Sequence, residues 1–270
     1  MFPKRPMAQM FGRTRARPAD VTFGRKVIAY IDILGWKELL KARRGKRRYE
    51  QIMRAIVELK TAVEIVEMTK RGFARVGAPF GHSLRATMFS DTIVCSCDPT
   101  QDEAAHLGDW VQRFCVRMLH LGRFTRGAIT IGDLLHDPGG VVVGRALVEA
   151  SVLEQKVAKY PRIVVTEEAT DLLVGPRYFP NGTLGPRQAT QDTDGLFYLD
   201  IFGFDQGHKR SARAIADAKK GKRTVERTLG EVLDPHRFKQ YRDPTVAMEL
   251  HAKAEWMWHQ VHRVIGYPKE

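Results

Sequence analysis

The sequence is poor in cysteine and has no long hydrophobic run. Its three cysteines, Cys95, Cys97 and Cys115, include no C-x-x-C pair. The odd number argues against a disulfide scaffold, and no zinc-site spacing is present. We therefore expect core thiols in a reducing cytoplasm. No run of about 18 apolar residues occurs, so the sequence predicts no transmembrane helix and no membrane insertion. The basic N-terminal segment also lacks the apolar centre of a secretory signal.

Acidic residues are scarce relative to basic ones. The 270 residues include 44 lysines and arginines against 31 aspartates and glutamates, which gives a formal net charge of +13. Such a field attracts nucleotides, nucleic acids or acidic lipids without choosing between them. With 43% hydrophobic residues, the chain can bury a sizeable core. We expect a basic flexible arm over 1–24, a main domain over 25–205 and a basic helical extension over 206–270.

Hydrophobic periodicity predicts alternating strands and helices between residues 27 and about 175. Short β-branched runs predict the strands, and apolar residues spaced three and four apart predict the helices. The order includes the βαββαβ unit of a ferredoxin-like palm. We predict an α+β fold, followed by a surface loop over 176–194, a final strand in GLFYLDIFG (195–203) and two further helices over roughly 207–233 and 244–265.

Two of the strand-like runs contain a single aspartate each. Asp32 ends the first strand, in VIAYIDILGWKELL (27–40), and Asp91 lies at the bend of a hairpin, in RATMFSDTIVCSC (85–97). Two carboxylates about 4 Å apart repel by roughly 4 kcal/mol at an effective dielectric near 20, so cations between them would explain the pair. Taken singly, the two residues are also compatible with a helix N-cap and a turn aspartate.

Five segments, in this order, resemble the class III nucleotidyl cyclases. They are IDILGWKEL (31–39), FSDTIV (89–94), RGAITIG (126–132), GRALVEASVLEQ (144–155) and PRIVVTEEATDLL (161–173). The set is most similar to the bacterial anti-phage Pycsar pyrimidine cyclases, which form cyclic UMP or cyclic CMP. The resemblance implies a class III cyclase domain over 25–205, a pyrimidine nucleoside triphosphate as substrate and a head-to-tail homodimer. It also implies a separate effector that responds to the cyclic nucleotide, and no requirement for nucleic acid.

The resemblance further implies a site for two divalent cations, Mn²⁺ or Mg²⁺. Asp32 and Asp91 would hold both ions, with the carbonyl of Ile33 as an additional ligand. Backbone amides at the start of the following helix would hold the phosphates. These amides belong to Leu34, Gly35 and Trp36.

The sequence departs from the purine cyclases of this class at three positions. Thr87 stands where those enzymes have a purine-selecting lysine. Val148 and Val152 stand where they have an asparagine and an arginine that steady the ribose and the transition state. These departures argue against an adenylate or guanylate cyclase, and the resemblance to the Pycsar cyclases implies UTP or CTP instead, with UTP as the first choice.

Three other residues are candidates for replacing the missing groups. Strand alternation puts Tyr30 on the face of Asp32, and Arg85 on one face with Thr87, Phe89 and Asp91. Tyr30 and Arg85 would recognise a small base and a phosphate, and Arg126 would neutralise phosphate. Each also has a purely structural interpretation: core packing for Tyr30, a solvated strand end for Arg85 and a dimer contact for Arg126.

Two alternatives remain open. The first is another palm nucleotidyltransferase, such as a dinucleotide cyclase or a template-free polymerase. The second is a nucleic-acid-binding module that uses the basic arm, KARRGKRR (41–48) and the 207–227 helix, while the aspartates are structural. The basic residues are not interleaved with exposed aromatic runs, which argues against the second alternative.

Overall fold

The computed structural model describes residues 23–36, 46–75, 83–174, 189–202, 212–233 and 244–268. The strands are β1 Gly24–Ile33, β2 Arg85–Phe89, β3 Thr92–Cys97, β4 Thr125–His136, β5 Val142–Val143, β6 Ile163–Val165, β7 Ala189–Gln191 and β8 Phe197–Leu199. The helices are α1 Lys46–Arg75, α2 Gln101–His120, α3 Arg145–Lys156, α4 Glu167–Val174, α5 Ala212–Leu233 and α6 Pro244–Ile265.

The sheet is built around β1. Its strand order is β2-β3-β1-β4-β6-β8-β7, and β5 pairs with β4 outside this path. β1 is antiparallel to both neighbours, β3 and β4, and β2 is antiparallel to β3. Together with α1 and α2, these four strands form the predicted βαββαβ unit. The predicted α+β fold with additional C-terminal helices is therefore confirmed.

β1 is covered on both faces, which explains its nearly continuous apolar sequence. Ile31 and Ile33 belong to the main core beneath α1 and α2. Ile28 faces the other way, toward α3, where it packs with Ala146 and Ala150. Small residues let α3 pack closely on β4. A Cβ placed on Gly132 of β4 would lie only 3.1 Å from the Cβ of Ala146.

The two C-terminal helices pack on α2 and form a second core. This core includes Leu119, Phe202, Ala218, Val225 and Val261. α6 is also tied to the β7–β8 region by polar contacts, since the Trp256 indole donates to Asp192 at 2.9 Å and Arg263 to Asp200 at 2.8 Å. These contacts give the predicted helical extension a fixed position against the sheet.

A buried arginine connects the same region to the start of β6. Arg162 is 1% exposed and forms ion pairs with Asp192 and Asp194. Its guanidinium lowers the pKa of the Asp194 carboxyl below the ordinary value. A buried guanidinium needs such partners, because an uncompensated buried charge is strongly destabilising.

The structure corrects one detail of the sequence prediction. Residues 189–191, predicted as part of a surface loop, form the short edge strand β7 against β8. The N-terminal arm up to residue 22 and the predicted boundary at 205–206 lie outside the described residues. The domain division therefore stays a prediction.

In the described ranges, no helix combines the length and the apolar character needed to cross a membrane. All three cysteines are buried and unpaired, as the sequence predicts. Burial raises the pKa of the Cys115 thiol to about 12 and the pKa values of Cys95 and Cys97 well above the ordinary value.

We expect the folded protein to resist thiol reagents. Near pH 8 a disulfide reagent should modify the three thiols slowly in native buffer and rapidly in denaturant, because the reactive thiolate is disfavoured by burial. Absorbance of the released chromophore measures both rates. Equal rates in the two buffers would contradict the burial.

Gly127 of β4 lies close to the backbone of β1. A Cβ at this position would lie 2.2 Å from the carbonyl oxygen of Tyr30. Gly127→Ala should therefore force backbone movement and lower the free energy of unfolding by about 1–3 kcal/mol or more. Gly230→Ala is the matched control, because Gly230 is helical and a Cβ there meets nothing within 4 Å. Urea unfolding of both variants measures the difference, and equal stabilities would contradict this close approach.

Candidate active site

The two aspartates lie at one corner of the sheet, on neighbouring strands. Asp32 is directly opposite Thr92, the residue that follows Asp91. The amide of Ile33 donates to the carbonyl oxygen of Asp91 at 3.1 Å, which fixes the end of β1 against the β2–β3 turn. Since diagonal partners two residues apart are about 7–8 Å from each other, the Cα atoms of the two aspartates are closer than about 8 Å.

The turn that carries Asp91 has an unusual backbone. β2 and β3 are joined by Ser90 and Asp91 alone, and Ser90 has a φ of +56°. Two-residue hairpins require such a conformation, which glycine or asparagine adopts more easily than serine. Backbone strain of this kind is concentrated at functional sites. Ser90 therefore supports a functional interpretation of the neighbouring aspartate.

Arg126 lies on the other side of Asp32. It is directly opposite Asp32 in the β1–β4 pairing, so both side chains leave the same face of the sheet. The Arg126 Nε donates to Glu154 Oε1 of α3 at 2.6 Å, and its Nη2 forms an ion pair with the same oxygen. The predicted phosphate-binding arginine is thus beside the aspartates and already has an acidic partner.

Of the other two predicted substrate-binding side chains, only Tyr30 is near the aspartates. Tyr30 is two residues before Asp32 on the same face, where it is half-buried against the α3 core. Arg85 is opposite Ser96, four residues along β3 from the level of Asp32, which amounts to about 14 Å. The side chains of Arg85 and Asp32 share a face of the sheet, and the structure does not bring them together.

The predicted phosphate-binding amides follow β1. Gly35 has a φ of +76°, and Trp36, the first helical residue after it, is buried. The amide of Leu34 donates to the carbonyl oxygen of Phe124 at 2.9 Å. This bond argues against the predicted role of the Leu34 amide in phosphate binding, because its N–H already donates to a residue of the segment before β4.

No family model matches this chain. No curated protein matches it either. Among solved structures, the adenylyl cyclase CyaB from P. aeruginosa is similar at 11% identity and a TM-score of 0.47, over 71% of this chain and 99% of that chain. The guanylyl cyclase Cya2 is similar at 13% identity and a TM-score of 0.39, over 71% of this chain and 98% of that chain.

A further similar structure is the monomeric guanylyl cyclase domain of the RhoGC fusion protein from the aquatic fungus Blastocladiella emersonii. The identity is 9% and the TM-score 0.38, over 66% of this chain and 96% of that chain. Identities and scores of this size do not transfer an activity or a substrate to this chain. The functional interpretation therefore depends on the residues at the corner of the sheet.

The donor set at this corner fits a divalent cation that binds together with a nucleotide. Within the described ranges, no group of three or more His, Cys, Asp or Glu side chains is arranged to hold a metal. Mg²⁺ is often bound by one or two carboxylates, with substrate phosphates completing its oxygen ligands. Asp32 and Asp91 would supply that kind of partial donor set, as the sequence predicts. Whether the Ile33 carbonyl contributes stays a prediction.

Two buried polar residues make contacts that the sequence prediction did not assign. One is Glu154, the partner of Arg126. The other is His136 at the end of β4, whose ring nitrogens are 2.8 Å from the Thr87 and Ser96 hydroxyls. Through these hydrogen bonds, His136 holds the β4–β5 hairpin against β2 and β3. Periodicity could mark β4 as a strand, but it could not show that the hairpin folds back over the sheet.

A cavity of about 710 Å³ lies on the opposite side of the sheet, between α1, α2 and α5. Its lining includes Trp110 and Phe114 together with charged residues that pair with one another. Arg117 binds Glu58 at 2.6 Å, and Arg213 is 3.7 Å from Asp217. None of the predicted site residues lines this cavity. We place the candidate active site at the aspartates.

The positive φ of Ser90 leads to a stability prediction. Ser90→Val should lower the free energy of unfolding by about 1–2 kcal/mol, because a β-branched residue is poorly tolerated in the left-handed region. Ser90→Asn should be nearly neutral, since asparagine adopts this region readily. Thermal unfolding of the two variants measures the difference. A valine variant as stable as the asparagine variant would contradict the observed turn.

Proposed function

We propose that this chain is a class III-type pyrimidine nucleotide cyclase. It converts UTP, or CTP, into the 3′,5′-cyclic mononucleotide and pyrophosphate. The observation that carries the proposal is the corner formed by Asp32 at the end of β1 and Asp91 in the β2–β3 turn, joined by the bond from Ile33 to Asp91. The motifs that resemble the class III cyclases fall on β1, β2–β3, β4, α3 and β6, around this corner.

In the proposed reaction, the ribose 3′-oxygen bonds to the α-phosphorus while the bond to the leaving β-phosphate oxygen breaks. The hydroxyl proton passes to water, and pyrophosphate leaves with the bonding electrons. When bound, divalent cations would neutralise the triphosphate and make the 3′-hydroxyl easier to deprotonate. The chain itself positions the reacting groups: Asp32 and Asp91 hold the cations, and Arg126 stabilises the negative charge of the phosphates.

The pyrimidine preference is supported by the neighbourhood of Thr87. Its hydroxyl is bound to His136, and a Cβ on Gly140 of the hairpin would lie 3.6 Å from it. The β4–β5 hairpin therefore reduces the free space above the sheet next to Tyr30. A one-ring base needs less space there than a purine. Tyr30 is the side chain we propose to contact that base.

The head-to-tail homodimer is also part of the proposal. Val148 and Val152 of α3, which are 64% and 42% exposed, belong to the side of the sheet that carries Asp32. Exposed apolar residues on this side also include Phe89, Val141 and Val143. Apolar surface of this kind is typical of protein contacts. A second copy would cover it and complete the nucleotide site. A cytoplasmic setting, an anti-phage role and a separate effector follow from the resemblance alone.

A nucleotide panel tests the proposed activity. We expect the protein with Mn²⁺ to convert UTP or CTP into a cyclic mononucleotide and pyrophosphate, detected by mass spectrometry. Asp32→Asn and Asp91→Asn should reduce product to the level of reactions without protein, because each removes half of the cation-binding donor set. Asp133→Asn is the matched control, since Asp133 is an exposed aspartate of β4.

The product mass separates the proposal from its alternatives. A dinucleotide or a polymer would indicate another palm nucleotidyltransferase. Absence of product from every triphosphate, together with salt-sensitive binding of RNA or DNA, would favour the nucleic-acid-binding module. Equal product from the wild type and Asp32→Asn would refute the proposed site.

A further inference from the structure

Glu154 is a buried acid that forms an ion pair with Arg126. Its side chain is 4% exposed, and that of Arg126 is 20% exposed. An isolated buried carboxylate is costly, so Glu154 requires a cationic partner at this position. Arginine keeps its proton in proteins, and the pair therefore compensates two opposite charges next to Asp32.

The packing of α3 places Glu154 at this point. Ala146 and Ala150 are buried against β1 and β4, and Gly132 lies under Ala146 at a distance that leaves no room for larger side chains. Glu154 is one turn beyond Ala150 on the same helical face. The close approach of α3 thus brings the Glu154 carboxylate to the guanidinium that faces Asp32.

A second acid of α3 provides a comparison. Glu149 is exposed and accepts a hydrogen bond from the Thr130 hydroxyl at 3.3 Å. Thr130 is four residues beyond Arg126 on β4, opposite Ile28 rather than Asp32. Two glutamates of one helix therefore contact the same strand, but only Glu154 contacts the arginine at the aspartate corner.

Two consequences follow from the Arg126–Glu154 pair. Glu154 engages donors on both Nε and Nη2, so it fixes the plane in which the guanidinium lies. Its negative charge also offsets the positive charge of Arg126 where cations would bind to Asp32. Without that charge, Arg126 would repel the cations.

We propose that Glu154 is a positioning residue for the cation site. It orients Arg126 toward the phosphates and keeps the Asp32–Asp91 corner favourable for divalent cations. This inference rests on the proposed function, because it requires cations at Asp32. It predicts that removing the Glu154 charge alone weakens Mn²⁺ binding, whereas removing the Arg126 charge as well restores it.

Mn²⁺ binding to the full chain tests this role without relying on activity. Electron paramagnetic resonance of free Mn²⁺, with and without UTP, gives the dissociation constant. Glu154→Gln should weaken binding roughly tenfold or more, as expected when an outer partner of a metal site is changed. Glu149→Gln, the matched control, should bind Mn²⁺ like the wild type. The double variant Arg126→Gln/Glu154→Gln should recover most of the lost affinity.

The outcomes are distinguishable. Asp32-dependent Mn²⁺ binding that is unchanged in Glu154→Gln would overturn this inference and leave the proposed function intact. Mn²⁺ binding that does not depend on Asp32 would overturn both. If Glu154→Gln unfolds, as its thermal midpoint would show, the double variant decides. A double variant that folds like the wild type and binds Mn²⁺ nearly as tightly supports the positioning role. A double variant that folds like the wild type but still binds Mn²⁺ weakly contradicts it.

Discussion

The antiparallel pairing of β1 with β3 and β4 is the constraint on which the rest of the structure depends. It places Asp32 between Thr92 and Arg126 while Ile31 and Ile33 enter the core on the opposite face. Because side chains alternate along a strand, a slip of one residue would bury the carboxylate and expose an isoleucine. The same apolar residues that stabilise the sheet therefore also determine which face carries the acidic group.

Pairing of arginines with acidic side chains is the second feature that organises the structure, and it occurs at two positions. At the site, Glu154 accompanies Arg126. At the start of β6, Asp192 and Asp194 accompany Arg162, and the Trp256 indole joins this group from α6. In a chain with a net charge of +13, arginines with little solvent exposure are tolerated where acidic side chains pair with them. The first cluster belongs to the proposed chemistry, whereas the second holds a C-terminal helix.

The sequence was sufficient for the order of strands and helices along the chain and for the neighbouring positions of Asp32 and Asp91, because both depend on local signals: β-branched runs, a two-residue turn and short connections. It was insufficient where distant elements meet. Two predicted contacts with the substrate illustrate this. The Leu34 amide donates to the carbonyl oxygen of Phe124, and Arg85 lies four residues along the sheet from the level of Asp32. Glu154 looked like any acidic residue of an amphipathic helix. Only the rotation of α3 on the sheet shows that it is buried against Arg126.

The two edge strands of the sheet, β2 and β7, have a consequence for the handling of the protein. β2 contains five residues and β7 contains three. Short terminal strands offer few unpaired backbone groups to a neighbouring molecule, so they are poor templates for intermolecular β-pairing. At the high concentrations used for crystallisation or spectroscopy, fibrillar aggregation through these two strands should therefore be a minor route of loss.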